Sequence, residues 1–305
     1  MNTQNTTSQR HNIKETDNDL VPVHLPDNAN FLVWLAHDVD CVHKTFIHSA
    51  YYFLKEKKAY HLESYIKNHQ SYWNFDKILE IEAKNDVRST FFFLSGDRRL
   101  NLLDPKSWLP TLGGYKSSDP ALRFYIDYFD KEGWEIGLNG LSRYSTNKNN
   151  ILKEKDALEK ILRHNISGIC QYTPKHWGSQ HILNFAYGAI VPAQEDIRNP
   201  FNPYNDNFTA IPITITDKIL FKKFKNVEHA WSHCLKIINT IQETRSLLTI
   251  LWNQRVFNKL EYPAHVTIYE KLIQESKKRN AVFCTGNEIL RYHLPRKEKN
   301  EHFQK

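Results

Sequence analysis

The sequence predicts a single α/β domain with a parallel sheet, arranged as a barrel. Short apolar runs alternate with helix-like stretches along the chain, and this alternation is typical of β/α units with parallel strands. The first run, Phe31 to Ala36, leads directly into His37-Asp38-Val39-Asp40. Carboxylates at the exit of a buried strand occupy the position at which α/β barrels carry their chemistry. No internal repeat or linker divides the chain.

The individual elements follow from local patterns. Compact apolar runs indicate buried strands, and apolar residues that recur every three to four positions indicate helices. Strands are predicted at 31–36, 89–94, 133–138, 174–178, 187–191, 211–215, 247–252 and 281–284. Helices are predicted at 42–67, 73–84, 120–131, 150–163, 226–243 and 263–279. Asp119 before Pro120 is a typical helix start. Segment 98–117 contains two prolines and a Gly-Gly pair and is predicted to be a loop.

The termini differ in composition from the domain between them. Residues 1–28 are polar and are expected to form a disordered leader, residues 29–294 the barrel and residues 295–305 a charged tail. The formal net charge of +7 could favour an acidic polymer, an anionic membrane surface or nucleic acid. Because 41 basic residues are mixed with 34 acidic ones and no nucleic-acid motif is present, a generally solvated surface explains the charge better.

The cysteine spacing and the hydropathy of the chain indicate in which cellular compartment the protein is expected. The four cysteines are widely spaced and form no CxxC pair, which argues against a disulfide framework and a structural zinc site. No stretch has the length and apolar character of a membrane span or a signal peptide. We therefore expect a protein of a reducing compartment, the cytoplasm.

The two aspartates after the first strand are the first candidate site residues. In an extended segment Asp38 and Asp40 project to the same side, because side chains alternate with a period of two. Two neighbouring carboxylates need a cation, a shared proton or strong hydrogen-bond donors at neutral pH. Alternatively, both could belong to a loop and cap the next helix. His37 should point to the opposite face and have a structural role.

Several strands carry motifs in a recognisable order. They are His37-Asp38-Val39-Asp40, Arg88-Ser89-Thr90-Phe91-Phe92-Phe93, Gly133-Trp134-Glu135-Ile136-Gly137-Leu138, Leu251-Trp252-Asn253-Gln254-Arg255-Val256-Phe257 and Tyr269-Glu270-Lys271-Leu272. In these motifs the chain resembles the polysaccharide deacetylase family, also called the NodB homology domain, over about residues 31 to 290. The resemblance implies a distorted β/α barrel of seven or eight strands, with a metal site at the carboxyl ends of the strands.

The resemblance also implies roles for individual residues. Asp38 corresponds to the family's general base, Asp40 to its aspartate ligand, and Asn253 to the position of its histidine acid. The two remaining ligand positions are Asn139 and Arg143, neither of which suits zinc. We therefore expect that the zinc site is lost, that no cofactor is bound, and that Arg143 neutralises the aspartates instead.

Other interpretations of these residues remain open. Asn139 before Gly140 could simply be a turn residue, and Arg143 could be solvated. His181 lies where the family has a further motif, and His176 and His181 could build a replacement metal site. Trp252 could offer a stacking face to a sugar or pack in the core. Our predicted set is therefore catalytic Asp38, Asp40 and Asn253, with substrate-binding Asn139, Arg143, His181 and Trp252.

The resemblance places the function in surface carbohydrate metabolism of the O-antigen or capsule type. The chain is expected to act on or bind an acylated amino sugar, as a metal-independent N-deacetylase-like hydrolase if it is active. The alternative is a non-catalytic glycan-binding pseudoenzyme, or a partner protein in polysaccharide assembly. Acyl or formyl transfer in the same cleft is a third possibility, for which the sequence offers no cofactor motif. The expected ligand is a sugar or oligosaccharide, and nucleic acid is not expected.

Overall fold

The computed structural model describes residues 25–26, 28–67, 71–94, 113–115, 119–140, 148–171, 184–192, 197–203 and 208–293. Within these residues, nine strands pair in parallel and form one sheet. The strands are β1 Leu32–Val39, β2 Thr90–Phe93, β3 Glu135–Asn139, β4 Gly168–Gln171, β5 Tyr187–Ile190, β6 Thr209–Pro212, β7 Ile215–Thr216, β8 Leu247–Asn253 and β9 Val282–Cys284.

Helices follow most of the strands and cover the outside of the sheet. They are α1 Phe46–Glu56, α2 Tyr60–Lys67, α3 Phe75–Lys84, α4 Pro120–Lys131, α5 Lys148–Leu162, α6 Asp217–Lys223, α7 Val227–Glu243, α8 Pro263–Lys278 and α9 Gly286–His293. A short 3-10 helix, Gln254–Phe257, follows β8 directly. None of the helices in the described residues combines the length and the apolar character needed to cross a bilayer.

The structure confirms the predicted α/β barrel and most of its predicted elements. The first strand is longer than predicted, so that Asp38 lies within β1 rather than after it. The single helix predicted over 42–67 is two helices, because Lys57 takes a left-handed conformation (φ 54°) and ends α1. The strand predicted at 174–178 lies outside the described residues, and β4 occupies 168–171. Helices α6 and α9 were not predicted.

The sheet closes into a ring through one continuous segment, residues 209–216. The order of neighbours is β6-β5-β4-β3-β2-β1-β8-β7, with β9 beside the first half of β1. The first half of the closing segment, β6, pairs with β5, and the second half, β7, pairs with β8. The change of partner occurs at Ile213, which donates to Ile190 O (2.8 Å), and Thr214, which donates to Thr249 O (3.1 Å). This arrangement is a distorted barrel of the predicted type.

Side chains of β1 alternate between the barrel interior and the helix layer. Trp34 reaches across the interior to Tyr187 of β5, with ring centroids 5.6 Å apart, although β1 and β5 are not neighbours in the sheet. Leu35 belongs instead to the cluster that packs the sheet against the helices. Asp38 has the parity of Trp34, so its carboxyl faces the interior at the carboxyl ends of the strands.

The amino end of the barrel is filled by a polar cluster under α9. The Glu135 carboxylate accepts from Thr90 Oγ1 (2.7 Å), Tyr187 Oη (3.0 Å) and the Asn287 amide (3.1 Å). Burial raises the pKa of Glu135, and these hydrogen bonds oppose that rise. The Tyr187 ring leaves no space for a side chain at Gly168, where a Cβ would meet it at 2.2 Å. This end of the barrel is therefore closed, and the opposite end carries the candidate site.

Candidate functional site

Three strands bring their last polar side chains together at the carboxyl end of the barrel. Asp38 of β1 is buried, and its Oδ1 accepts a hydrogen bond from Asn139 Nδ2 of β3. Its Oδ2 accepts from Asn253 Nδ2 of β8 at 3.4 Å. Asn253 lies directly opposite Asp38 in the parallel register, so both side chains point to the same face of the sheet. With Asp40, which lies beside this cluster, the structure brings together four of the seven predicted site residues.

Arg255 supplies the positive charge next to this cluster. Its backbone N–H donates to Asn253 Oδ1 (3.0 Å), so that the asparagine that meets Asp38 also begins the 3-10 helix carrying Arg255. The Arg255 guanidinium lies 3.7 Å from Asp40 Oδ2, and both side chains are partly buried. Asp40 Oδ1 is buried and has no hydrogen-bond partner among the described residues. The pair therefore uses one oxygen of the Asp40 carboxylate, and the other oxygen is buried.

Asp217, the first residue of α6, is a third carboxylate at the site. It is buried, and its Oδ1 accepts from the Asn253 backbone N–H at 3.3 Å. Burial raises the pKa of Asp217 to about 6, although Arg255 acts in the opposite direction. Three carboxylates, those of Asp38, Asp40 and Asp217, thus lie in the field of the Arg255 guanidinium.

The pKa of Asp38 is raised to about 8, first by burial and then by the negative charge of Asp40. Arg255 and the hydrogen bond from Asn139 lower it, but by less. At neutral pH the Asp38 carboxyl is therefore mostly protonated and close to its titration range. A group in this state can both give and accept a proton near neutrality, which is the requirement for general acid–base catalysis.

The described residues do not fit a zinc site. No group of three or more histidine, cysteine, aspartate or glutamate side chains in the described ranges could hold a metal ion. Asn139 turns its amide nitrogen, a donor, towards Asp38, and the Arg255 cation stands beside Asp40. Zinc sites require several negatively charged or neutral imidazole ligands around an open position. The predicted alternatives Arg143, His176 and His181 lie outside the described residues.

Trp252 has a packing role. Its side chain is fully buried on the face of β8 opposite Asn253, within 6.2 Å of the Phe221 ring and 5.8 Å of the Tyr269 ring. A sugar beside Asp38 could not stack on it, because alternation along the strand turns it away from the interior. The predicted stacking role of Trp252 is therefore not retained.

His37 is structural, as its position in the sequence indicated. Its Nε2 is 2.8 Å from Glu82 Oε1, and its Nδ1 is 3.0 Å from Trp252 O. Glu82 also accepts from Trp134 Nε1 and Tyr269 Oη, both at 2.6 Å. This buried network lies on the helix side of β1 and fixes the strand that carries Asp38.

Sequence reasoning missed Arg255 and Asp217. Arg255 follows Asn253 by two residues, and the hydrogen bond from its backbone N–H to the Asn253 side chain keeps it close to the site. Asp217 follows Thr216 at the end of the closing segment, where a helix start was not predicted. In both cases the signal was a charged residue within two positions of the end of a strand, similar to the signal that identified Asp38.

Comparison with solved structures identifies proteins that share this fold. The chain is similar to Puue allantoinase, with a TM-score of 0.61 and 14% identity over 94% of this chain and 97% of that one. A protein assigned as a polysaccharide deacetylase from Pseudomonas aeruginosa PAO1 gives 0.59 and 15% over 90% and 97%. One assigned likewise from Mycobacterium smegmatis gives 0.57 and 15% over 88% and 92%. No sequence model of a protein family matches the chain. No curated protein sequence matches it either.

Proposed function

We propose that the protein hydrolyses the amide of an N-acylated amino sugar, with Asp38 as the group that moves the proton. The observation that carries the proposal is the buried Asp38 carboxyl, whose pKa of about 8 lies near neutrality and which faces Asn139, Asn253 and the Arg255–Asp40 pair. A perturbed carboxyl with specific partners at the end of a barrel is a candidate acid or base. The fold shared with polysaccharide deacetylases supports the choice of a sugar amide.

The reaction uses residues of this chain alone. Water adds to the acyl carbon as Asp38 accepts its proton, and the C–N bond breaks as Asp38 returns a proton to the leaving nitrogen. The products are the free acid and the amino sugar. Asn139 and Asn253 hold the Asp38 carboxyl in place, and Asp40 holds the Arg255 guanidinium beside it. The positive charge of Arg255 favours the negative charge that develops on the acyl oxygen.

We further propose that the substrate belongs to surface carbohydrate metabolism of the O-antigen or capsule type and that the protein works in the cytoplasm. The fold shared with the deacetylases supports the first assignment, and the four buried cysteines, none of which forms a disulfide, support the second. We also propose a protein partner from polysaccharide assembly.

A second candidate function is non-catalytic glycan binding. It is favoured by the two amide donors, Asn139 and Asn253, that already occupy both oxygens of the Asp38 carboxyl. A carboxyl held in this way is a recognition element as readily as a base. Such a protein would bind the acylated sugar as a partner in polysaccharide assembly and would not turn it over.

Acetate release and sugar affinity distinguish the two functions. The purified chain is incubated with N-acetylated amino sugars as monomers, oligomers and nucleotide-linked forms, and with allantoin because of the structural match to an allantoinase. We expect turnover of a sugar that Asp38→Asn lowers by about 10²-fold or more without a large change in affinity. Asp76→Asn, on the exposed face of α3, is the matched control and should leave turnover unchanged.

The outcomes separate clearly. Binding without turnover, with an affinity that Asp38→Asn alters, decides for the non-catalytic function. Turnover that survives Asp38→Asn contradicts the role of Asp38. Hydrolysis of allantoin with no sugar turnover would contradict the sugar substrate but keep the proton-transfer role.

A further inference from the structure

Helices α1 and α2 (residues 46–67, called here the α1–α2 hairpin) bury polar side chains and expose apolar ones, the reverse of an ordinary surface helix. The buried side chains of α1 are His48 and Ser49, and those of α2 are His61 and Ser64. Large apolar side chains are exposed instead: Phe46 60%, Ile47 47%, Tyr51 42%, Leu54 73% and Ile66 73%. Half of the exposed large hydrophobic residues in the described ranges lie in this hairpin. A surface helix ordinarily turns its apolar stripe to the core, so this stripe requires a cover from outside.

The exposed apolar side chains do not result from poor packing of the hairpin. Its inner face is held by a buried ion pair in which Lys44 Nζ lies 2.5 Å from Glu261 Oε1 and 2.6 Å from Ser64 Oγ. His61 Nδ1 contacts Glu261 Oε2 at 3.3 Å, and Tyr52 packs against the His61 ring at 5.5 Å. The inner face is therefore fixed by specific contacts, and the outer face keeps its composition for another reason.

The exposed face combines an apolar stripe with positive charge. Ile47, Tyr51 and Leu54 follow the spacing i, i+4, i+7 and lie on one side of α1. Exposed lysines flank the stripe at Lys55, Lys57, Lys58 and Lys67. Of the two glutamates in the hairpin, Glu56 contacts His61 and Glu63 pairs with Lys67. An apolar stripe flanked by lysines is the pattern of a helix that lies in the interface of a membrane with anionic lipids.

We propose that the α1–α2 hairpin docks the protein onto an anionic lipid surface. The side chains of Ile47, Tyr51 and Leu54 enter the boundary between headgroups and acyl chains, and the lysines contact lipid phosphates. β1 ends at Val39 and α1 begins at Phe46, so the hairpin stands at the end of the barrel that carries Asp38. Docking therefore brings that end of the barrel to the bilayer. The formal net charge of +7 acts in the same direction.

Vesicle co-sedimentation of the full chain tests this docking without any sugar. We expect binding to vesicles that contain phosphatidylglycerol, weak binding to phosphatidylcholine alone, and a loss of binding as salt is raised. The double variant Ile47→Ser/Leu54→Ser should lower partitioning by about tenfold or more, since both apolar anchors are removed. Lys57→Glu/Lys58→Glu should lower it by about tenfold on anionic vesicles only. Phe124→Ser/Tyr128→Ser, an exposed aromatic pair on α4, is the matched control and should bind like the wild type.

Circular dichroism and thermal unfolding confirm that each variant is folded. Failure of the folded wild type to bind anionic vesicles overturns the proposal, and so does undiminished binding by Ile47→Ser/Leu54→Ser. If the wild type instead forms a dimer that this variant dissociates, and binds no vesicles, the stripe is a contact between two copies of the chain. None of these outcomes depends on whether Asp38 catalyses a reaction.

Discussion

Burial and the neighbouring Asp40 raise the pKa of Asp38 from its ordinary value of 3.8 to about 8, and this shift has a cost in stability. The folded protein keeps a proton on Asp38 that the unfolded chain loses above about pH 4. Because the folded state then binds more protons, its free energy of unfolding falls as the pH rises through this window. Asp217, with a pKa of about 6, adds to the same trend in the lower part of the window.

Replacing Asp38 by asparagine should therefore stabilise the protein at alkaline pH. Between pH 5 and pH 8.5 the stability of Asp38→Asn relative to wild type should rise by a few kcal/mol, on the order of 2–4. Urea unfolding at both pH values measures this difference. Asp76→Asn should show no such trend. If the stability of Asp38→Asn relative to wild type is the same at both pH values, the Asp38 carboxyl has an ordinary pKa.

Replacing Arg255 should instead destabilise the protein at alkaline pH. Arg255→Met removes the positive charge beside Asp40, and the pKa values of Asp38 and Asp217, which Arg255 lowers, should rise further. We expect a loss of about 1–3 kcal/mol at pH 8.5 and a smaller loss at pH 5, since protonation relieves the repulsion at low pH. Arg255→Lys keeps the charge and should recover part of the loss. Equal stability of Arg255→Met and wild type at pH 8.5 would show that the guanidinium does not act on these carboxyls.

The cluster could be predicted from the sequence only in part, and the reason is visible at single residues. Asp38, Asn139 and Asn253 could be found because each follows an apolar run, and parallel strands bring their carboxyl ends together. Arg255 reaches the site through the cap that Asn253 provides, and this contact depends on a backbone turn rather than on strand order. Trp252 matched the motif, but the alternation of β8 sets it on the opposite face, in the core.

At the scale of elements, the α1–α2 hairpin depends on the buried Lys44–Glu261 pair. Both side chains are almost fully buried, and the pair joins the start of the hairpin to the segment before α8. A buried ion pair contributes little net stability compared with apolar residues, but removing one partner leaves an uncompensated charge. The pair was not predictable from the sequence, because 217 residues separate the partners.

Removal of Glu261 alone should therefore lower the free energy of unfolding strongly, and removal of both partners should lower it only slightly. We expect Glu261→Ala to cost about 3–5 kcal/mol and Lys44→Met/Glu261→Met to recover most of this loss. Thermal and urea unfolding measure both variants. Glu63→Ala, which breaks the exposed pair with Lys67, is the control and should cost less than about 1 kcal/mol. A double variant as unstable as Glu261→Ala would mean that Lys44 is not the source of the cost.

At the scale of the whole molecule, the barrel depends on the segment 209–216. The predicted strand at 211–215 overlaps the end of β6 and the start of β7. Its division into β6 and β7 depends on which neighbours are available in three dimensions, so the sequence pattern could not reveal it. Strand β4 was not predicted either. It has four residues, of which only Ile169 and Cys170 are apolar, and this pattern is too short to identify a strand.

Thr249 is the residue that holds this closure. Its Oγ1 donates to Pro212 O (2.6 Å) and accepts from Thr214 N (2.7 Å), which also donates to Thr249 O (3.1 Å), so one buried hydroxyl adds to the backbone hydrogen bonds where the strand changes partner. Thr249→Val has nearly the same shape but removes both contacts, and we expect it to cost about 1–3 kcal/mol. Thr267→Val, whose exposed hydroxyl bonds Pro263 O within α8, should be nearly neutral. Urea unfolding compares the two, and equal costs would mean that the hydroxyl of Thr249 is dispensable at the closure.

The closing segment also protects the protein from aggregation. An open parallel sheet has two outer strands whose unpaired N–H and C=O groups can recruit strands of other molecules. Here β5 and β8 would be those outer strands, and residues 209–216 cover one with β6 and the other with β7. A form in which this short segment has detached would expose both edges at once while the rest of the sheet stayed paired. Intermolecular strand pairing should therefore begin at β5 and β8, before the protein unfolds globally.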